Sequence, residues 1–231
     1  PEIAIVDPQF VYSVPKSVTA DTGMDVLTHA IESFVSVLAN DYTKGLSLQA
    51  IKLVFENLRN SYNYGDQESR EKMHNASTMA GMAFANAFLG ISHSIAHKIG
   101  GQWDLIHGRT NAILLPHIIR YNAIDPQKHA LWAKYEYFRA DEDYAEIARY
   151  LGFKGNTTAE LVEALATEIT KLGQDIGIKM NFRDQGITEE MLERDADRLA
   201  ELAFEDQCTT ANPKQPLISE LKEIIYAAYK G

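Results

Sequence analysis

The sequence predicts an all-α protein, a helical bundle with one short strand at its N-terminus. Three observations carry that prediction. Apolar residues recur at helical spacing through most of the 231 residues, in runs bounded by capping residues. No strand and helix patterns alternate, and neither G-x-G-x-x-G nor a P-loop is present, so no nucleotide-binding α/β unit is encoded. The strand pattern is confined to residues 3–6, a β-branched run ended by Asp7-Pro8.

In chain order, residues 3–6 read as a buried strand, and a chain that opens on a strand reads as part of something longer. Val14-Pro15-Lys16-Ser17 is a turn, after which Asp21 and Thr22 offer N-cap oxygens to a helix over about 24–38. A polar break at 41–44 precedes a second helix, about 45–60, that buries Leu46, Leu48, Ile51, Leu53, Val54 and Leu58. The surface connection 61–66 leads to a helix over about 68–88. Its second half is dominated by Ala, Met, Gly and Phe, and such small residues allow close helix approach, which places it in the middle of the bundle. Beyond Gly90 the chain starts helical and is predicted to break at Gly100-Gly101, because glycines are poor helix interior. Helical patterns then cover 111–121, with Pro116 as a kink, and 128–140. Residues 141–151 form a helix ended by Gly152. Thr157 with Glu160 has capping-box spacing and opens a helix to about 175, closed by Gly177. Thr188 opens one to 204, and 219–229 is the last. Residues 1–13 are thus a strand and linker, and 14–231 the helical domain.

Composition narrows the function. With 45% hydrophobic residues the chain can bury a sizeable core. Asp and Glu outnumber Lys and Arg by 32 to 22, a formal charge of −10, which argues against nucleic acid or an anionic membrane as partner. An anionic cofactor therefore needs a local positive field. The single cysteine, Cys208, excludes an intrachain disulfide and fits a reducing cytoplasm. The first residues lack the basic start and apolar run of a signal peptide. The longest small and apolar run, 76–99, is interrupted by Asn86, Ser92, His93, Ser94 and His97, so no membrane span is predicted.

Two stretches carry chemistry. In DTGMDVLTHAIESF, Asp25 and His29 stand four apart, and four residues on an α-helix turn by about 400°, so both project from one face within about 40°. That face also carries Val26 and Phe34 and is expected to point inward, where an unpartnered carboxylate costs several kcal/mol. A cation removes that cost. In ISHSIAHKIGGQWDLIHGRTN, His93 and His97 repeat the spacing, and His107 follows the glycine pair, where Gly108 lets the backbone pass close. Three imidazoles thus compete for what the spacing suggests are two ligand places. One carboxylate with two or three imidazoles suits Zn²⁺ or Fe²⁺, affinity alone favouring zinc. H-E-x-x-H protease chemistry is excluded because Ser94 stands at the Glu position. His74, His117 and His129 have no paired ligand and read as structural or surface residues.

DTGMDVLTHAIESFVS, AGMAFANAFLGISHSIAHKIGGQWDLIHG and DQCTTANPKQPLISELKE resemble the iron-containing alcohol dehydrogenases. The resemblance is closest to the C-terminal, alcohol-dehydrogenase half of the bifunctional aldehyde-alcohol dehydrogenases and extends over essentially all 231 residues. It implies the metal-binding helical domain of a dehydroquinate synthase-like fold. It also implies metal ligation by Asp25, His29, His93 and His107, and a cofactor-side or proton-relay role for His97. Phe84 matches an aromatic of the substrate pocket, with Phe88 beside it. Cys208 matches a position near the pocket and reads equally as a small buried residue. The implied reaction is hydride transfer between a small, ethanol-like primary alcohol and NAD, with Fe²⁺, or Zn²⁺, as Lewis acid. Complete enzymes of that family supply most NAD contacts from an α/β half absent here, so little turnover is expected of this chain alone. The family also implies a homo-oligomer or filament in the full-length protein.

Two other readings compete. An all-α metallohydrolase of the HD kind needs an adjacent His-Asp pair, and no His here is followed by Asp. A helical oligomerisation module with a vestigial metal site leaves composition and pattern unchanged.

Overall fold

In a computed structural model, which describes residues 2–126 and 138–231, the helices run in the predicted order. They are α1 (Lys16–Val35), α2 (Asp41–Asn63), α3 (Gln67–Ala87), α4 (Ile91–Trp103), α5 (His107–Asn122), α6 (Ala140–Tyr150), α7 (Thr158–Asp175), α8 (Glu189–Phe204) and α9 (Ile218–Lys230). Most of the predicted helix over 128–140, and His129, lie outside the described residues.

The predicted strand is absent: no strand occurs among the described residues, and 3–6 lie exposed, with Ile3 and Ile5 82% and 90% accessible. A β-branched run becomes a strand only where a neighbour accepts its backbone hydrogen bonds, and none is present among the described residues. Pro8–Val11 instead forms a 3-10 turn, tied down where Arg70 Nη1 donates to the Val11 carbonyl at 2.9 Å.

α1 starts eight residues before its predicted start and uses Pro15, not Asp21 or Thr22, as its N-cap. Asp21 lies buried inside the helix, where Arg109 of α5 grips it with two hydrogen bonds of 2.9 and 3.1 Å. α2 also starts early, because Asn40 and Thr43 form a reciprocal capping box across the stretch read as a break. Thr157 and Thr188 cap α7 and α8 as predicted.

α3 is not the central helix. Its alanines 76, 80, 83 and 87 line a single buried face, and its opposite face leaves Met82 exposed. α5 occupies the centre instead. Ala112, Leu115 and Ile119 face a core built with α1, α2, α6 and α7, while Ile113, Leu114 and Ile118 face a second core built with α4, α8 and α9. A helix apolar on nearly all sides is one that neighbours enclose. No single described helix is long and apolar enough to cross a membrane.

α4 runs straight through Gly100-Gly101 and ends at Asp104, in the left-handed region at φ 52°. Two helical glycines cost about 1 kcal/mol each relative to alanine. The last turn is held regardless, by buried Ile99 and by Trp103, whose indole N–H donates to Asp195 at 2.8 Å. α3 and α4 meet at 106°, and the turn between them holds Phe88 at φ 62°. A bulky residue in that region is strained by roughly 1–3 kcal/mol.

Candidate metal centre

α1, α4 and α5 converge where their histidines lie. The approach of α5 to α1 depends on Gly108, where a Cβ would stand 2.1 Å from the Asp21 carbonyl oxygen and 3.1 Å from the Asp25 Cβ. No side chain fits there, so the first turn of α5 rides directly on α1. That contact brings His107 and Asn111, one helical turn apart, to Asp25.

Asp25, His29 and His93 bring donor atoms within 4.8 Å of one another, and His107 joins them through Asp25. Asp25 Oδ1 lies 3.5 Å from His107 Nε2 and 3.8 Å from His93 Nε2, and Asp25 Oδ2 lies 3.7 Å from His29 Nδ1. Donors bound to one metal at about 2.1 Å in tetrahedral geometry stand about 3.4 Å apart. The imidazoles pack on one another, His29 against His93 at 4.5 Å and His93 against His107 at 5.3 Å between ring centroids. The Asn111 side-chain nitrogen reaches Asp25 Oδ1 at 2.8 Å and the Nε2 atoms of His93 and His107 at 3.1 Å each. Ser92 fixes that amide by donating to its oxygen at 3.1 Å.

An NH₂ group has two hydrogens for these three acceptors, so the Asn111 amide cannot satisfy all of them at once. The donor set therefore fits a cation. Its protonation fits too: burial, then the neighbouring His93, lowers the His29 pKa from its ordinary value to about 4, and burial also lowers that of His107. Neutral imidazole is the form that ligates metal.

Glu32, one turn beyond His29 on α1, is buried behind the cluster. One of its oxygens lies 2.6 Å from His93 Nδ1, and the other accepts from the Ser92 backbone N–H at 2.6 Å. With Nδ1–H donated to Glu32, the His93 Nε2 lone pair points at the shared centre, the usual arrangement behind a ligating histidine.

His97 stands at the rim, its side chain 36% exposed, ring-stacked on His107 at 5.5 Å. Its Nδ1 meets Asp206 Oδ2 at 3.1 Å, and Cys208 lies close by, buried. Phe84 stacks on His29 at 4.7 Å, so the predicted pocket aromatic does reach the cluster. Phe88 lies in the strained turn, and no ring contact joins it to the histidines among the described residues. A cavity of about 260 Å³ between α1 and α3, lined by Val18, Thr22, Val26 and Met73 among others, contains none of the four predicted ligands.

Sequence reasoning missed Glu32, Asn111 and Asp206. Glu32 had a signal that was available, since it falls three residues after His29 on the helix face already identified; Asn111 falls four after His107, but the predicted helix begins only at 111. Asp206 comes from a 3-10 turn distant in sequence and has no such signal.

The model of the Fe-containing alcohol dehydrogenase family, C-terminal part, matches residues 19–229. The chain belongs to the iron-containing alcohol dehydrogenase family. It is 62% identical over all 231 residues to an aldehyde-alcohol dehydrogenase of Streptococcus pneumoniae serotype 4, of which it covers 26%. Among solved structures, the iron-containing alcohol dehydrogenase from Thermococcus thioreducens is 34% identical, with a TM-score of 0.86, over 100% of this chain and 55% of that one. Sulfoacetaldehyde reductase from Bifidobacterium kashiwanohense, in complex with NAD+, is 30% identical with a TM-score of 0.81, over 99% of this chain and 55% of that one. The chain thus spans about a quarter of the curated aldehyde-alcohol dehydrogenase it matches, and about half of single-function family members.

Proposed function

We propose that this chain is the metal-binding helical part of a longer NAD-linked alcohol dehydrogenase that interconverts a small primary alcohol and its aldehyde. In this reading residues 1–13 are the link to a preceding nucleotide-binding part that holds most of the NAD. The observation that carries the proposal is the set of three imidazoles, His29, His93 and His107, spaced 3.5–3.8 Å from the Asp25 carboxylate. Asp25, His29, His93 and His107 would hold the ion, iron by family and equally zinc by ligand type. When bound, that ion supplies Lewis acidity to the alcohol or aldehyde oxygen.

The chain's own residues supply the rest. Burial keeps His29 neutral, and Glu32 orients His93, so the lone pairs are in place before any ion arrives. Phe84 covers His29 and excludes water from that side, which strengthens every electrostatic interaction within. His97, at the open rim, is placed to exchange the alcohol proton with solvent. Hydride transfer itself needs the nicotinamide, whose main contacts lie elsewhere in the longer protein.

The test pairs two measurements on this chain. It is expected to take up about one Fe²⁺ or Zn²⁺ in a calorimetric titration and yet to turn over ethanol and NAD at least about 100-fold more slowly than complete family members. Absence of metal uptake, or family-like turnover, overturns the reading.

A further inference from the structure

Next to the four-ligand ring lies a second group of potential ligands, His97, Asp206 and Cys208, whose donor atoms fall within 4.8 Å of one another. Three facts argue against a second ion there. The Lys98 ammonium already lies 2.7 Å from Asp206 Oδ2, so the carboxylate has its cation. Burial pushes the Cys208 thiol up, keeping it protonated. The other Asp206 oxygen accepts from the Cys208 backbone N–H at 2.9 Å, capping the 3-10 turn Gln207–Ala211.

One interaction of Asp206 is left to explain, its contact with His97. Asp206 is about nine-tenths buried, and burial alone would raise its pKa. Lys98, the Cys208 amide and His97 outweigh burial and hold it below the ordinary carboxyl range. An ionised carboxylate only accepts, so the hydrogen between Asp206 Oδ2 and His97 Nδ1 resides on the imidazole. The other ring nitrogen is then the unprotonated one, on a side chain that reaches the rim of the site.

We infer that Asp206 is the positioning residue for His97, locking it in the Nδ1–H tautomer so that Nε2 is presented to the site mouth as a proton acceptor. Lys98 completes the device by neutralising Asp206, so that the carboxylate does not draw the proton wholly from the ring. The inference rests on the role proposed for His97 above. It adds the group that selects which nitrogen of His97 acts, an acid from a distant turn. His93 and His97 thus each have a buried carboxylate at Nδ1, Glu32 and Asp206, so both present Nε2, one inward and one to the rim.

The test is long-range ¹H–¹⁵N correlation spectroscopy of this chain, zinc-loaded and near pH 8.5, above the ordinary imidazole range. The His97 resonances are assigned with His97→Gln, and zinc content is measured on the same samples. The native chain is expected to show the Nδ1–H pattern at His97. Asp206→Asn is expected to lose it in favour of Nε2–H or a mixture, with zinc retained. Lys98→Gln, which leaves the carboxylate in place, is expected to keep it. An Nε2–H pattern in the zinc-loaded native chain overturns this inference alone, and so does an unchanged pattern in folded Asp206→Asn. If Asp206→Asn does not fold, the native and Lys98→Gln spectra still decide. Failure of the native chain to take up zinc overturns the metal-centre reading and this inference with it.

Discussion

Two clusters of similar composition lie side by side where α1, α4 and α5 converge, and they solve the same electrostatic problem differently. Around Asp25 stand three imidazoles and an asparagine amide, with no fixed cation within salt-bridge reach among the described residues. Around Asp206 stand an imidazole, a backbone amide and the Lys98 ammonium. The second cluster already has its cation in Lys98; in the proposed reading the first takes its cation from solution. Proximity of histidines to a carboxylate therefore does not by itself mark a metal site. The distinguishing feature is whether the protein has already provided the positive charge.

The largest effect separates the clusters outright. His93→Ala and His107→Ala are expected to lower bound metal from about one ion per chain to below about a tenth, whereas His97→Ala retains it, as read by elemental analysis. Equal loss in all three would erase the distinction. A smaller effect probes the support behind the first cluster. Glu32→Gln, which removes the charge behind His93, is expected to weaken metal affinity about 10–100-fold without abolishing it; calorimetric titration measures this.

Lys98→Met tests the second cluster from the opposite side. It leaves Asp206 buried beside an imidazole, a backbone amide and the Cys208 thiol with no ammonium, and thermal or denaturant unfolding is expected to show a loss of about 2 kcal/mol, below the full cost of breaking a buried pair because Lys98 is partly exposed. The double variant Lys98→Met/Asp206→Asn is expected to recover part of that loss.

His117 provides the comparison's control, a half-buried imidazole for which no neighbouring carboxylate is a cause of its shift. Burial, then the Arg120 charge, lowers its pKa from 6.5 to about 4. Because the unfolded chain binds this proton more readily, stability is full above about pH 6.5 and falls as the pH drops towards 4. The contribution lost by pH 5.5 is about 1 kcal/mol. His117→Gln is expected to flatten the decline of melting temperature across that window, and an unchanged slope would show that His117 does not contribute.

The helical class, the pairing of Asp25 with His29 and the bracing glycine were legible in the sequence because each follows from local geometry, whereas spacing leaves His93, His97 and His107 as equal candidates and only the family resemblance divides them. Spacing by four puts Asp25 with His29 on one helix face, and Gly108 beside His107 marks close backbone approach. What the pattern misplaced depends on partners distant in sequence. Asp21 has the chemistry of a cap, yet Arg109 binds it eighty-eight residues away. Gly100-Gly101 has the chemistry of a break, yet Trp103 anchored on Asp195 carries the helix through. Residues 3–6 have strand propensity without a strand to pair with. Small residues on α3 suggested a central helix, but α5, apolar on two faces, is the one with a core on each side. Asp206, in turn, meets His97 only through the packing of α4 against the 3-10 turn.

The account stands or falls on whether the first cluster binds a cation. Elemental analysis of this chain, purified without oxygen and without added metal or chelator, measures it directly. The account predicts close to one iron or zinc per chain, lost in Asp25→Asn and retained in Asp206→Asn. A metal-free native chain that also fails to take up Fe²⁺ or Zn²⁺ when offered, or equal metal content in the two variants, would contradict it.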